Sequence, residues 1–238
     1  MARVLARVIA VVPARGGSVG LPGKNLALFA GRPLVAHAVD TGLAGGVDEV
    51  LVSTDDGEIA TVAAGAGAVV VHRPAELATA TSRTVDAVLH ALDERGEPDG
   101  SLVVLLQPTS PLRTAADVRE CLALHGDRPT GSVVQMAEPA EHHPLKACLL
   151  VDGELTPVRD WPDLEAPRQT LPPVLRPTGG VYVVGAGDLR RQRRFFVPRV
   201  LAQRVPAERA LDVDTAEDLR RAEEQAARPV QRTSTNGL

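Results

Sequence analysis

The chain has 238 residues, 44% of them hydrophobic, and a net charge of −4. That is enough to bury one good core with elaborations rather than two equal ones. The acidic balance argues against a general nucleic-acid binder, so a polyanionic ligand would have to be gripped by local cations. No stretch approaches the roughly 20 apolar residues of a membrane span, and Cys121 and Cys148 have no metal or redox spacing, which describes a soluble cytoplasmic protein with reduced thiols.

Residues 1–12 are basic and then apolar, as leader peptides are, but Arg7 leaves only about five apolar residues before Pro13 where a secretory core needs roughly 7–15. Residues 8–12 therefore read as a buried β-branched strand. Residues 34–43 follow as a helix with Leu34, Val35, Ala38 and Val39 on one face. The pattern continues with strand 49–53, helix 58–66, strand 68–71, helix 85–92, strand 101–106 and helix 114–125. Short apolar runs alternating with amphipathic helices predict an α/β fold, a mainly parallel sheet covered on both faces. Ligands on such sheets bind at the carboxyl ends of the strands, where three polar loops fall: 14–25, 54–57 and 107–113. Residues 139–177 hold eight of the 19 prolines and the only Trp, and read as an irregular arm. Regular pattern returns at 180–184, near 200–205 and in a final helix 215–227. The expected organisation is a catalytic domain from 1–138 and 178–227, an arm from 139–177 and a flexible tail from 228–238.

Only two lysines occur, and Lys24 closes a glycine-rich turn after the first strand. Gly16, Gly17, Gly20 and Gly23 let backbone N–H groups converge on an anion. Arg15 adds a planar fork of donors and Lys24 a compact charge, a pairing suited to a triphosphate. The turn matches neither phosphate-binding fingerprint: Ser18 stands where a Walker loop needs its first glycine, and Gly16-Gly17-Ser18-Val19-Gly20 lacks the dinucleotide spacing. Far downstream, Leu211-Asp212-Val213-Asp214 puts two carboxylates on one side of an extended segment. They suit Mg²⁺, which takes one or two carboxylates plus substrate phosphates; the other reading is that Asp214 or Thr215 caps the last helix, with Asp218 completing a capping box. The turn Gln107–Arg113 ends a strand with polar groups that suit a base or sugar, or is a plain loop. His142 and His143 are adjacent and lack a third ligand, so no zinc site is expected. Arg190, Arg191, Arg193 and Arg194 read as a solvated face, and Phe195-Phe196 as packing or as an apolar wall for a ligand methyl.

Taken together, these segments resemble the acylneuraminate cytidylyltransferases, the CMP-sialic acid synthetases. The resemblance rests on Ala14–Ser18 through Leu21–Asn25, Val52–Asp55, Arg73–Ala78, Gln107–Arg113, Glu141–Lys146, Pro167–Gln169, Leu175–Pro177 and Asp212–Asp214, in the same order. It implies a Rossmann-like three-layer nucleotidyltransferase fold, with 139–177 as a protruding dimerisation arm, and a reaction joining CMP from CTP to a nine-carbon 2-keto sugar acid with Mg²⁺. Carried over, Arg15 and Lys24 hold the phosphates, with Gly16, Gly17 and Ser18 in the same loop. Asn25, Arg73 and Ser82 surround the nucleotide, and Gln107, Arg168, Tyr182, Phe195 and Phe196 line the acceptor pocket. Lys146 reaches in from a second subunit, and Asp212 with Asp214 carries magnesium. The family loop commonly has lysine where this chain has Val19, a loss expected to weaken phosphate binding or to shift work onto Lys24 and Arg15. Other ulosonic acids (legionaminic, pseudaminic or Kdo type) and a catalytically silent homologue are the alternatives.

Overall fold

In β1 (Val8–Pro13) both side-chain directions are apolar: Ile9 and Val11 face one layer, Ala10 and Val12 the other. A strand with no polar face must be covered on both sides. The computed structural model describes residues 6–228 apart from 19, 127, 129, 140 and 141. After β1 a small hairpin, β2 (Leu28–Phe29) and β3 (Arg32–Pro33), leads into α1 (Leu34–Ala44). Then come β4 (Glu49–Thr54), α2 (Gly57–Gly65), β5 (Val69–His72), α3 (Thr84–Glu94), β6 (Leu102–Leu105), α4 (Ala115–His125) and β7 (Ser132–Ala137). The arm carries the hairpin β8 (Cys148–Val151) and β9 (Glu154–Pro157) and a short helix α5 (Trp161–Glu165). β10 (Arg176–Gly185), α6 (Ala186–Gln192), β11 (Val200–Arg204) and α7 (Ala216–Ala226) complete the chain.

Seven strands form one sheet in the order β11-β7-β10-β6-β1-β4-β5. β10 runs antiparallel to both neighbours, and the other pairings are parallel. Helices α1, α2 and α4 cover one face through Val35, Val39, Ile59 and Val118; α3 and α6 cover the other through Val88, Leu92 and Leu189. The expected three-layer α/β architecture is thus present. Among the described residues no helix is long and apolar enough to cross a membrane.

Two elements escape the sequence pattern. Buried Gln135 interrupts the apolar run of β7. The arginines of α6 and of the turn after it do lie on a largely solvated face, tied down by ion pairs: Arg190 with Asp93 and Asp99, Arg191 with Asp188, and the following Arg193 with Asp86. The reversal of β10 matters for the site. Its register shifts between Pro177 and Tyr182, with Gly179 at φ 79°. This irregularity places residues 179 and 180 against the turn that follows β6.

The arm holds β8 and β9 outside the main sheet, with Leu150 73% and Leu155 60% exposed. His143 is spent on the arm's backbone: its Nδ1 accepts from the Leu145 N–H, and its Nε2 lies 3.0 Å from the Pro172 carbonyl. The expected flexible tail lies outside the described residues apart from Arg228.

Candidate active site

The carboxyl ends of β1, β5 and β6 open into a cleft of about 310 Å³. Lys24 enters it from the glycine turn, its side chain only 16% exposed, and its Nζ lies 2.8 Å from Asp214 Oδ1. The pair joins residues 190 positions apart. Such a half-solvated pair stabilises the fold by at most about 1 kcal/mol, so its importance is placement: it brings the early turn and the late aspartates to one edge. Gly20 sits beneath them, and a Cβ there would lie 2.6 Å from the Asp214 carbonyl oxygen.

Arg15 and Ser18 line the same cleft. The Arg15 guanidinium donates to the Thr79 carbonyl, while its own carbonyl accepts from Asn25 Nδ2 at 2.8 Å. Buried Asn25 therefore braces the turn from below. The Gly16 N–H donates to Asp55 Oδ1 at 3.0 Å, and the Ser18 N–H to the Gly16 carbonyl. The Gly16 amide is thus committed to the loop after β4 and the Ser18 amide to the turn itself. Gly17 is exposed, and Val19 lies outside the described residues.

Arg73 is buried in the wall, its Nη2 donating to the Ser53 carbonyl at 2.6 Å and its Nε to Ser53 Oγ. Burial lowers its pKa, Asp55 opposes that, and Arg15 adds to it. Ser82 lines the cleft too, but its hydroxyl builds the 79–82 turn by accepting from the Thr79 N–H and donating to the Glu76 carbonyl. Gln107 faces the cleft from the end of β6. Its backbone carbonyl and that of Gly180 both accept from buried Arg113, each at 2.9 Å. Burial brings the Arg113 pKa down to about 10, with Asp117 opposing.

Val213 is fully buried between exposed Asp212 and Asp214. The helix cap goes to Thr215, whose hydroxyl accepts from the Asp218 N–H while the Asp218 carboxylate accepts from the Thr215 N–H. Neither Asp212 nor Asp214 is consumed by capping. The Asp212 carboxyl titrates above its usual range because it is desolvated; Asp214 and Asp218 push the same way, against a hydrogen bond from Thr109 and the charge of Lys24. Asp214, Lys24 and Asp218 are the charged neighbours of Asp212, and Asp218 itself lies 3.9 Å from Arg221. Two carboxylates plus ligand oxygens fit Mg²⁺.

Asp212 faces a second hollow, which it shares with Arg176 and Arg221. Tyr182 packs against Phe195 and Phe196, with ring centroids 5.7 and 6.0 Å apart. Burial raises the Tyr182 pKa, and the charge of Asp212 adds to the rise. Lys146 and Arg168 stand apart on the arm. Lys146 Nζ donates to the Leu164 carbonyl at 3.0 Å and to that of Ala166. Arg168 is exposed. Two contributors were not singled out from sequence. Thr79 acts through its carbonyl, which carries no sequence signal. Asp55 carried one, an acidic residue at the carboxyl end of a strand.

A cytidylyltransferase family model matches residues 9–148. An N-acylneuraminate cytidylyltransferase of Streptococcus agalactiae is 32% identical over 213 residues, which is 88% of this chain and 51% of that protein. The chain thus spans about half the length of such relatives. A CMP-N,N'-diacetyllegionaminic acid synthase of Legionella pneumophila is 36% identical over 196 residues, 80% of this chain and 83% of the relative. In fold the chain is similar to a CMP:2-keto-3-deoxy-manno-octonic acid synthetase complexed with CTP, with a TM-score of 0.67 at 20% identity over 93% of this chain and 99% of the other. A 4-diphosphocytidyl-2C-methyl-D-erythritol synthase of Anaerococcus prevotii aligns at 0.64 and 12% identity, covering 94% and 97%. The resemblance carried by the motifs is borne out, and the chain belongs to the cytidylyltransferase family.

Proposed function

We propose that this chain transfers CMP from CTP to the anomeric hydroxyl of a nine-carbon sialic acid, an N-acylneuraminate, and releases pyrophosphate. The observation that carries this reading is the Lys24–Asp214 contact, which brings the late aspartate segment to the rim of the cation-lined cleft. The anomeric oxygen bonds to the α-phosphorus as the bond from that phosphorus to the bridging oxygen breaks. Little covalent work falls to the protein, whose task is positioning and charge neutralisation.

In this reading Arg15 and Lys24 hold the CTP phosphates, and Asn25, Arg73 and Ser82 shape the nucleotide's walls. Asp212 and Asp214 would hold Mg²⁺, which supplies charge stabilisation for the departing pyrophosphate. Gln107 and Tyr182 orient the acceptor, Phe195 and Phe196 give its N-acyl methyl an apolar surface, and Arg168 suits its carboxylate. The exposed leucines of the arm support a homodimer in which Lys146 serves a neighbouring subunit's acceptor. A second reading, legionaminic acid as acceptor, is favoured by the Legionella relative, which the chain covers over most of its length.

The test incubates the purified chain with CTP, Mg²⁺ and a panel of ulosonic acids, and measures pyrophosphate. Release with N-acetylneuraminate or a diacetylated nine-carbon acid is expected. Release with an eight-carbon acid alone, or with none, contradicts the proposal.

A further inference from the structure

Residues 205–215 connect β11 to α7 and carry the aspartate pair, with a single turn of helix at Ala207–Arg209 and no strand. Such a segment opens easily unless side chains tie it down. Two arginines do so just upstream of Asp212. Arg176, at the start of β10, donates from Nη2 to the Ala210 carbonyl at 2.7 Å. Arg209 reaches instead to the first turn of α4, where its Nη2 donates to the Asp117 carboxylate. The same nitrogen lies 3.4 Å from the Leu112 carbonyl and from Thr114 Oγ1.

Asp117 is a fixed post for that contact. Its side chain is 4% exposed. Its Oδ2 accepts from the Thr114 N–H at 2.8 Å and from Thr114 Oγ1 at 2.9 Å, closing the capping box of α4. Its Oδ1 lies 3.5 Å from Gln203 Nε2 of β11. A carboxylate this buried needs a cation beside it, and among the described residues Arg209 is the one paired with it. Neither residue lines the cleft or the hollow beside Asp212.

We infer that Arg209, held by Asp117, is a positioning residue for the aspartate pair: the ion pair pins the connection to α4 three residues before Asp212. Just beyond Asp212, the Val213 N–H donates to the Thr109 carbonyl at 2.8 Å, so the segment is tied on both sides of that carboxylate to the stretch between β6 and the first turn of α4. The inference rests on the metal role proposed above for Asp212 and Asp214. Arg209 touches neither substrate nor cation; it acts through the backbone that carries Asp212. A misplacement of about 1 Å, caused far from the chemistry, can cost about 100-fold in rate.

The test compares Arg209→Met, Arg209→Lys, Asp117→Asn and the double variant Arg209→Met/Asp117→Asn with wild type in the full chain. Mn²⁺ binding is followed by loss of the free-ion EPR signal, and the reaction by pyrophosphate release as CTP and Mg²⁺ are varied. Methionine removes the charge but keeps an unbranched side chain; it should weaken Mn²⁺ binding and lower kcat/KM about 10- to 100-fold, with a circular-dichroism spectrum like that of wild type. Lysine, which keeps one charged donor, should fall between methionine and wild type. Asparagine at 117 still accepts from the Thr114 N–H, so the helix cap survives; it should match Arg209→Met, and the double variant should be no worse than either single one. If Asp117→Asn fails to fold, the two Arg209 variants decide the question. Wild-type Mn²⁺ affinity in Arg209→Met overturns the inference even where its melting temperature falls, because that outcome leaves a structural role alone. Lysine as defective as methionine, or single losses that multiply in the double variant, overturn it too. Asp212→Asn separates the two levels. If it weakens Mn²⁺ binding while the Arg209 variants do not, only the role of Arg209 falls; if it leaves binding unchanged, the proposed metal site falls and this inference with it.

Discussion

In the cleft, segments as far as 190 residues apart close on one another through charge, whereas the arm turns its apolar side chains outward. Lys24 and Asp214 are partners within one chain. Leu149, Leu150, Leu155 and Trp161 are each more than half exposed. The contrast teaches that the cation-lined cleft is closed within one chain, while the arm leaves its apolar side chains exposed. Four substitutions break or sharpen that division.

Asp212→Ala should have the largest effect, lowering the rate of pyrophosphate release about 10²- to 10³-fold; a variant within twofold of wild type would place the chemistry elsewhere. Gly20→Ala comes next. Its Cβ would press on the Asp214 carbonyl oxygen, displacing the loop from the aspartates and lowering kcat/KM for CTP about 10- to 100-fold, with a circular-dichroism spectrum like that of wild type. Leu150→Glu addresses the arm. Burying a leucine is worth about 1.5–3 kcal/mol, so sedimentation velocity should find the wild type dimeric and the variant shifted toward monomer; a monomeric wild type would rule out the dimer.

The smallest effect is one of stability. Folding raises the Asp212 pKa, chiefly by desolvation, so its ionisation opposes folding of the ligand-free chain. Below the ordinary carboxylate pKa of about 3.9 the group is protonated in both states, and Asp212→Asn should change Tm least. As pH rises through the elevated folded value, the wild type loses stability that the asparagine variant keeps. At pH 7 without ligands, Asp212→Asn should therefore melt higher; a lower melting temperature would contradict the assigned direction.

The parallel half of the sheet was legible because short continuous apolar runs and helices of period 3.6 alternate there without interruption. Gln135 in β7 and the arginines of α6 hid two elements, since a buried amide and a run of exposed guanidiniums both break the apolar pattern. The reversal of β10 had no local sequence signal. In the site, Arg15, Lys24 and the aspartates stood out as charges in glycine-rich or alternating contexts. What could not be read was which groups are already committed: the Gly16 amide to Asp55, the Ser82 hydroxyl to its own turn, Lys146 to two carbonyls of the arm. Those commitments depend on distances across the fold.

A double-mutant cycle on Lys24→Met and Asp214→Asn, read as kcat/KM for CTP, tests most directly whether the basic turn and the aspartate pair form one site. Residues in contact are expected to couple by about 0.5–3 kcal/mol, so the double variant should lose less than the product of the two single losses. Single losses that simply multiply would mean that the two ends of the chain act independently.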